Sequence, residues 1–353
     1  EETNSLFFDA DGDGDDVLLV ITGGNEFPDN SPYLQDRLFI NSNGQFREKL
    51  NAIPYLNGHA SVAVSSDLDN DGDLDLFIGG RVMSSRYGLI PGSYLLLNDG
   101  TGQFSVLENK KMRYIGMVTD AVWQDLDGNG YEDLIVVGEW MNIKVFLNES
   151  GLLTEVEIKE LAKTKGWWNC ITSVDIDNDG DQDFILGNEG HNNKLQPAVG
   201  DPIRMYVNDF DGNGYLDQII TYSKEGQEYP VANRDELGKQ MPMIKKSFTS
   251  YKDFAGKTVT DVFNTESLSR GLKYEANEFS SVVLINEGNM KFTIRELPPM
   301  AQISPVYAIK LFDVNQDGLQ DLILGGNNSW ANTYFGSSDA SYGQVLINSG
   351  EGE

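Results

Sequence analysis

The sequence predicts an all-β fold, a β-propeller of four-stranded antiparallel blades, on three observations. A short acidic loop recurs along the chain, an apolar run follows each copy, and a turn containing Asn and Gly comes later in most units. The first three intervals between acidic loops are 58, 58 and 50 residues. Four short strands at this period are typical of one propeller blade. The chain of 353 residues is long enough for several blades.

An acidic loop joins the first two predicted strands of each unit. We number the copies loops 1 to 6 in chain order: 9–17, 67–75, 125–133, 175–183, 209–217 and 313–321. Each has the order Asp-x-Asp/Asn-x-Asp/Asn-Gly-x-x-Asp, except that loop 1 has its last carboxylate one position early, at Asp16. An alternating sequence such as 60–65 predicts the strand before the loop. A continuous apolar run such as 76–78 predicts the strand after it, buried on both faces.

A turn containing Asn and Gly joins the third and fourth predicted strands. The turn begins at Asn41, Asn98, Asn148, Asn286 and Asn348. Such turns between apolar runs are a hairpin signal. A single blade cannot bury both of its faces, so we expect the array to close into a ring.

The later spacing is irregular, with 34 residues from Asp175 to Asp209 and 104 from Asp209 to Asp313. We interpret 221–280 as an insertion within a propeller domain that spans 1–353. It is predicted to be partly helical, with Asn233 capping a helix over 234–248 and Thr258 forming a capping box with Asp261. Loop 5 belongs either to a shortened blade or to the preceding blade, and the first interpretation is favoured.

The last predicted blade is unfinished. The sequence ends at Gly350-Glu-Gly-Glu, where the other units place a fourth strand. We therefore expect the native chain to continue. Residues 1–10 contain no signal peptide, which is expected either to have been removed or to lie outside an internal segment.

The charge balance restricts the partners. The chain has 55 acidic and 26 basic residues and a formal charge of −29. Such a chain is repelled by nucleic acid and by anionic membrane surfaces. No run of about 18 apolar residues predicts a transmembrane helix.

Nucleophilic catalysis has little support in the sequence. The single cysteine, Cys170, lies in an apolar run and is expected to be a buried, inert thiol, and it allows no intrachain disulfide. The two histidines, His59 and His191, are far apart in sequence. Sequence distance alone does not exclude Ser-His or Cys-His chemistry.

The acidic loops predict a hard divalent cation held by oxygen ligands. Clustered carboxylates repel one another unless a cation neutralises them, and a mixed set of Asp, Asn and carbonyl oxygens favours Ca²⁺ over Mg²⁺. An EF-hand is excluded, because position 12 is an apolar strand residue such as Ile78 instead of Glu. We expect about five to six calcium ions. The predicted ligand residues, with position 7 contributing its carbonyl, are Asp9, Asp11, Asp13, Asp67, Asp69, Asp71, Asp73, Asp75, Asp125, Asp127, Asn129, Tyr131, Asp133, Asp175, Asp177, Asp179, Asp181, Asp183, Asp209, Asp211, Asn213, Tyr215, Asp217, Asp313, Asn315, Asp317, Leu319 and Asp321.

At these residues the sequence resembles the FG-GAP/VCBS repeat family of calcium-binding β-propellers, whose blades are related to the integrin α head. The resemblance covers nearly the whole chain apart from 221–280. The strings 23–28 and 136–140 are similar to large exported repeat proteins of Bacteroidota-type bacteria, the cartilage-acidic-protein/UnbV-like group. The resemblance implies seven blades in the full protein and a location outside the cell or on its surface, with the periplasm less favoured.

Three functions remain open at the level of sequence. The first is a binding or scaffold module for a glycan, peptide or protein. The second is an enzyme such as a polysaccharide lyase, for which Arg81, Arg86, Tyr87 and His191 are candidates without a linking spacing. The third is a purely structural domain of a larger surface protein.

The binding face is predicted from blade geometry. The acidic and Asn/Gly turns lie at one end of the strands, so the long, dissimilar segments after strand 2 emerge at the other end, where variable loops bind partners. The alternative is that these residues only pack the loops together. The candidate residues on this face are Asn25, Glu26, Arg81, Arg86, Tyr87, Glu139, Trp140, Asn188, Glu189, His191, Asn327, Asn328, Trp330 and Tyr342.

Overall fold

Five antiparallel sheets follow one another as blades, and each has an acidic loop between its first two strands. The computed structural model describes residues 2–29, 31–197, 200–329 and 336–350. The strands of blade 1 are β1 (Glu2–Phe8), β2 (Val17–Thr22), β3 (Arg37–Ser42) and β4 (Gln45–Glu48). The strands of blade 2 are β5 (Ala60–Ser66), β6 (Asp75–Gly80), β7 (Tyr94–Asn98) and β8 (Phe104–Leu107).

Blade 3 has a fifth short strand, which pairs with the end of its second strand. Its strands are β9 (Met117–Gln124), β10 (Asp133–Met141), β11 (Lys144–Glu149), β12 (Leu152–Val156) and β13 (Gly166–Trp167). The strands of blade 4 are β14 (Cys170–Val174), β15 (Asp183–Gly187), β20 (Val282–Asn286) and β21 (Phe292–Glu296). Blade 5 contributes β22 (Ala308–Phe312), β23 (Asp321–Gly325) and β24 (Gln344–Leu346).

The second strand of a blade supplies the hydrophobic core on both of its sides. In β6, Leu76 and Ile78 pack into the cluster between blades 1 and 2, whereas Phe77 packs into the cluster between blades 2 and 3. Successive side chains of a strand point to opposite faces, so a strand between two neighbours is apolar at every position. This explains the continuous apolar runs and confirms the prediction of an all-β propeller fold.

The first strands of consecutive blades pack side by side, from β1 through β5, β9 and β14 to β22. The outer faces of blades 1 and 5 carry exposed apolar side chains, including Phe7 and Phe312 at 57% and 60% exposure. Five blades lie within the described residues, and the expectations of a closed ring and of seven blades in the full protein stay predictions.

The insertion is longer than the sequence predicts, because it runs from 188 to 281, between β15 and β20 of blade 4. We call these residues the insert. Its strands are β16 (Ile203–Asn208), β17 (Asp217–Lys224), β18 (Gln227–Pro230) and β19 (Leu272–Ala276), in the sheet order β18-β17-β16-β19. Its helices are α1 (Arg234–Gln240), α2 (Met243–Ser247), α3 (Tyr251–Phe254), α4 (Val259–Val262) and α5 (Thr265–Arg270).

The favoured assignment of loop 5 to a shortened blade is wrong. Loop 5 joins β16 to β17 inside the insert, which has its own core around Phe210, Ile219 and Leu237. The hairpin has the same local pattern as a blade hairpin, and local pattern does not show which sheet a hairpin joins.

The predicted helix caps are present, but one predicted helix is two. The side chain of Asn233 accepts from Asp235 N and Glu236 N, and Thr258 forms a capping box with Asp261. The helix over 234–248 is interrupted at Pro242, because proline lacks the N–H that would continue it. Among the described helices, none is long and apolar enough to cross a membrane.

Each blade has two distinct ends. The loop face carries the acidic loops of the five blades, and the mouth face carries the connections from second to third strands. The insert replaces one such connection, so it emerges on the mouth face, where its residues Leu195 and Ile203 pack with Met117 and Trp140 of blade 3.

Candidate functional site

The six acidic loops share one backbone conformation. In every copy the first Asp accepts the N–H of the glycine at position 6, with N···O distances from 2.9 to 3.2 Å. That glycine has φ between 86° and 101°, a region that favours glycine. The position-5 side chain accepts the N–H of position 7, as Asp71 does from Asp73 at 3.0 Å. These bonds turn the acidic side chains toward one another.

Five of the loops gather three carboxylates that could hold a metal ion. One oxygen from each member lies within 4.8 Å of the others. The clusters are Asp9, Asp11 and Asp13; Asp67, Asp69 and Asp71; Asp125, Asp127 and Asp133; Asp175, Asp177 and Asp183; and Asp209, Asp211 and Asp217. In loop 6, Asn315 replaces the second Asp and donates Nδ2 to Asp317 Oδ2 at 2.8 Å.

The donor chemistry fits a hard cation. Three buried carboxylate oxygens in loops 1 and 4 have no hydrogen-bond partner among the described residues: Asp11 Oδ1, Asp175 Oδ1 and Asp177 Oδ1. A buried carboxylate oxygen without a donor is unfavourable unless a cation approaches it. Burial first, and then Asp13 and Asp9, raise the pKa of Asp11. The other predicted ligands lie in the same loops outside these clusters: Asp73, Asp75, Asn129, Tyr131, Asp179, Asp181, Asn213, Tyr215, Asp313, Asn315, Asp317, Leu319 and Asp321.

The ninth-position carboxylate also has a role in the fold that the sequence analysis missed. Asp133 Oδ2 accepts from Leu126 N at 2.8 Å, and Oδ1 accepts from Asn148 N at 2.7 Å. Asp75, Asp183 and Asp321 make the same pair of bonds in their blades. Burial raises the pKa of Asp75, Asp133 and Asp183 to about 6, against the backbone donors that lower it. This residue ties the loop to the third strand.

The asparagine of the Asn/Gly turn joins neighbouring blades. Asn148 Nδ2 donates to Leu68 O in loop 2 at 2.9 Å and to Glu132 O at 3.1 Å, while its Oδ1 accepts from Gly151 N. Asn98 and Asn348 reach the loops of blades 1 and 4 in the same way. The repetition of this asparagine is the available signal in the sequence, although the pattern by itself predicts only a turn.

On the mouth face, a cavity of about 300 Å³ opens where blades 2 to 5 meet the insert. We call it the mouth cavity. Its lining residues are Arg81, Tyr87, Glu139, Trp140, Trp167, Asn169, Glu189, Asn193, Lys194, Leu195, Ile220, Tyr307, Asn328, Gly336 and Ser338. Six of the predicted face residues are therefore together: Arg81, Tyr87, Glu139, Trp140, Glu189 and Asn328.

A chain of hydrogen bonds fixes one wall of the mouth cavity. Arg81 donates Nε and Nη2 to Glu139 Oε1 at 3.1 and 2.6 Å. The Tyr87 hydroxyl donates to Glu139 Oε2 at 2.7 Å and accepts from Trp140 Nε1 at 2.8 Å. Burial and then the charge of Glu139 raise the pKa of Tyr87. Both oxygens of Glu139 are therefore occupied by partners from the loop after β6.

Trp140 has a strained backbone. Its φ of 61° is in the left-handed region, which is unusual for a bulky residue. The pairing of β10 with β13 shifts register between Glu139 and Met141, so Trp140 lies in a bulge. The indole is nevertheless buried and contacts Trp167, with ring centroids 5.0 Å apart. Strain of this kind persists where the surroundings hold it in place, often at binding sites.

Glu189 and Asn169 place unsatisfied polar groups in the cavity. The carboxylate of Glu189 has no hydrogen bond or ion pair among the described residues, and Asn169 Nδ2 is buried without an acceptor. Burial first, and then the charge of Glu139, raise the pKa of Glu189 to about 7. Burial and then Glu189 raise the pKa of Tyr307 to about 12. All three residues line the mouth cavity, and the Tyr307 hydroxyl accepts a hydrogen bond from Asn328 Nδ2 at 3.3 Å.

The insert forms the remaining wall and is attached to blade 2. Gln218 Nε2 donates to Tyr87 O at 3.1 Å, and the Tyr274 hydroxyl donates to Gly88 O at 2.5 Å. Leu195 and Ile220 of the insert contribute apolar surface to the cavity. Sequence reasoning could not find these contacts, because they join residues more than 100 positions apart.

The other predicted face residues that the structure describes do not line the mouth cavity. Asn188 is fully buried, because its side chain bonds Glu278 O and the N–H groups of Trp167 and Glu189, so its assignment to the mouth is wrong. His191 bonds Ser280 Oγ at 2.9 Å, at a separate surface pocket. Trp330 lies outside the described residues. The remaining predicted residues lie elsewhere on the loops: Asn25, Glu26, Arg86, Asn327 and Tyr342.

The thiol prediction is confirmed. Cys170 is buried, and burial raises the pKa of its thiol to about 12. A thiol in this state is not a nucleophile at neutral pH.

Two comparisons with known proteins give matches. A sequence profile described as the FG-GAP-like repeat matches residues 67–136 and 125–186. Two solved structures are similar. One is described as BBS1N in complex with ARL6DN, soaked with lead, with 12% identity, 92% of this chain and 88% of that chain covered, and a TM-score of 0.29. The other is the V. cholerae biofilm matrix protein Bap1, with 11% identity and a TM-score of 0.27; the match covers 92% of this chain and 76% of that chain.

TM-scores this low carry no argument about this chain. No curated protein matches the sequence. The profile matches fall on loops 2 to 4 and the strands around them, where the structure shows consecutive four-stranded blades. Residues 67–186 therefore contain FG-GAP-like repeats, and in the structure these repeats are consecutive four-stranded blades of a β-propeller-like fold.

Proposed function

We propose that this chain is a calcium-stabilised propeller module that acts outside the cell or on its surface and binds a partner at the mouth cavity. The observation that carries the proposal is the convergence of non-repeating polar and aromatic side chains from four blades and the insert in one cavity. A cavity with aromatic walls and a few converging polar groups is the usual form of a binding site.

The carboxylate clusters of the loop face support the calcium part of the proposal. Bound calcium would neutralise the clustered carboxylates of the acidic loops, with Asp67, Asp69 and Asp71 as ligands in loop 2. Loops of this type bind calcium where it is abundant, and this favours a site of action outside the cytosol. Because the ninth-position Asp and the turn Asn connect these loops to the blades, metal binding should stabilise the whole array.

Recognition is proposed for the mouth face because its polar groups are not all used by the fold. A purely structural face would be expected to satisfy its buried donors and acceptors. Here Asn169 Nδ2 is buried without an acceptor, the Glu189 carboxylate has no hydrogen bond or ion pair among the described residues, and Trp140 lines the same cavity in a strained conformation. These features favour a binding module over a purely structural domain.

The lyase alternative gains no support from the geometry. Only Arg81 and Tyr87 of its four candidates line the cavity, and both are engaged by Glu139. Arg86 is paired with Asp29, and His191 lies at a different pocket. No described arrangement brings a base and an acid from this set together on one substrate.

Binding arrays of glycans and peptides test the proposal. Wild type, Arg81→Ala and the exposed control Arg47→Ala are applied in calcium buffer. We expect a ligand that wild type and Arg47→Ala bind equally and that Arg81→Ala binds about tenfold more weakly. Equal binding by all three proteins, or no binding to either array, would contradict a mouth site.

A further inference from the structure

The charges that line the mouth cavity nearly cancel. Arg81 and Lys194 contribute two positive groups, and Glu139 and Glu189 contribute two negative groups. The charges of Arg81 and Glu139 are paired directly at 2.6 Å. Since Glu189 has a pKa of about 7, the net charge of these four groups lies between zero and one positive charge near neutral pH, although the whole chain carries −29. An uncharged ligand fits this balance.

The unpaired groups define the hydrogen bonds that a ligand must make. Glu189 offers carboxylate oxygens that accept, and Asn169 Nδ2 is a buried donor without an acceptor. A hydroxyl group can donate to the first and accept from the second. With a pKa of about 7, Glu189 remains able to bond a hydroxyl in either protonation state. Several hydroxyls on one ring would satisfy both groups at once.

The walls suit the apolar face of a ring. Trp140 and Trp167 lie 5.0 Å apart, and Phe279 supports Trp167 from behind at 4.6 Å. Such aromatic surfaces bind the C–H face of a sugar through dispersion and desolvation. The cavity of about 300 Å³ is at the lower end of the range for small-ligand sites, so it suits one ring better than a long segment.

We propose that the mouth cavity is a subsite for one uncharged sugar ring, stacked on Trp167, which the buried Trp140 supports, and hydrogen-bonded by Glu189 and Asn169. The proposal rests on the proposed function and specifies its ligand class. The bulge that holds Trp140 at a positive φ then has a role, because it directs the indole toward the Trp167 side of the cavity while Glu139 remains paired with Arg81. A peptide ligand is a separate outcome of the test.

Calorimetric titration with defined sugars tests the proposal. The probes are the methyl glycosides of glucose, galactose and mannose, with methyl glucuronide, glucosamine and N-acetyl-lysine amide as charged comparisons. The proteins are wild type, Glu189→Ala, Asn169→Ala and the control Glu26→Ala, which changes an exposed carboxylate outside the cavity. Because neither the Glu189 nor the Asn169 side chain has a hydrogen-bond or ion-pair partner among the described residues, both variants should keep the wild-type melting temperature.

We expect at least one neutral glycoside to bind wild type and Glu26→Ala equally, and to bind Glu189→Ala and Asn169→Ala about tenfold more weakly. Failure of every neutral glycoside to bind, or equal affinity in Glu189→Ala, would overturn the sugar assignment. If a charged probe binds instead and Arg81→Ala weakens it, the assignment to an uncharged sugar falls while the mouth site stands. If any observed binding is unchanged in both Arg81→Ala and Glu189→Ala, the mouth site falls as well.

Discussion

The loop face and the mouth face use the same residue types in opposite ways. On the loop face, Asp133 is buried and both of its oxygens accept backbone N–H groups. On the mouth face, Glu189 lies in a cavity, and its carboxylate has no partner among the described residues. Burial raises the pKa of both groups, to about 6 and about 7. The first carboxylate is used by the fold, whereas the second is available to a ligand.

This difference shows where repetition carries information. A feature that recurs with the same hydrogen bonds in every blade, such as the first Asp and its glycine, serves the scaffold. A feature without a counterpart in the other described blades, such as the positive φ of Trp140 within a second strand, serves a local purpose. The propeller therefore separates stability and recognition at opposite ends of its strands, as loops on a rigid scaffold commonly do.

Removal of calcium should have the largest effect on stability, because it leaves the clustered carboxylates of the loop face without a counter-charge. Without calcium the clustered carboxylates repel one another, so EGTA should lower the melting temperature by about 15 °C or more. Calorimetric scans with calcium, with EGTA and after calcium is restored measure the effect. An unchanged melting temperature in EGTA would show that the loops need no metal.

The asparagine that joins blades should be the next most sensitive position. Asn148→Ala removes two bonds to carbonyls and leaves Gly151 N–H without its acceptor, so it should cost about 3 kcal/mol. Asn41 is the matched control, because among the described residues its side chain makes only the turn bond from Gly44 N, and Asn41→Ala should cost about 1 kcal/mol. Urea unfolding measures both. Equal costs would show that the bonds between blades add no stability.

Asp36 is a buried carboxylate outside the acidic loops, and it tests how burial alone affects the stability of the fold. Asp36 accepts from Thr22 N and Thr22 Oγ1, and burial raises its pKa from 3.8 to about 6. Because its carboxyl ionises more readily in the unfolded chain, ionised Asp36 opposes folding above pH 6, and this cost disappears below about pH 4. An Asn side chain at position 36 keeps an oxygen that can accept these two hydrogen bonds from Thr22 but has no negative charge.

Asp36→Asn should therefore be more stable than wild type by about 1–3 kcal/mol at pH 7.5, and the difference should shrink to zero as the pH falls to 4. Urea unfolding across this pH range, in excess calcium, measures the difference. A variant that is less stable than wild type at pH 7.5 would show that the charge itself holds this loop.

A change at the mouth should have the smallest effect on stability. The side chain of Arg81 is half exposed, so Arg81→Ala should change the free energy of unfolding by less than about 1 kcal/mol. Its effect should instead be on the affinity for the array ligand. A large loss of stability in this variant would mean that the Arg81–Glu139 pair belongs to the scaffold.

The sequence predicted the parts of the fold that are local and repeated. Loops 1 to 4, the apolar second strands and the hairpin turns follow from spacing and pattern, as does the capping box at Thr258. The true start of the insert was not predicted, because β16 and β17 have the pattern of a blade hairpin and differ only in the sheet that they join.

The mouth cavity was predicted only in part. Blade geometry placed Arg81, Glu139 and Glu189 on one face, since each follows or ends a second strand. The walls made by Trp167, Ile220 and Tyr307 depend on the packing of distant segments, and no local pattern indicates them. The same geometry misplaced Asn188, whose amide is used within the fold.

Native mass spectrometry of wild type, Asp71→Ala and Arg81→Ala in calcium tests the separation of the two faces most directly. Wild type should carry about five to six calcium ions, because the sequence has six copies of the acidic loop. Asp71→Ala should carry one ion fewer, and Arg81→Ala should carry the wild-type number. A full complement of ions in Asp71→Ala, or a lost ion in Arg81→Ala, would contradict the assignment of metal to one face and recognition to the other.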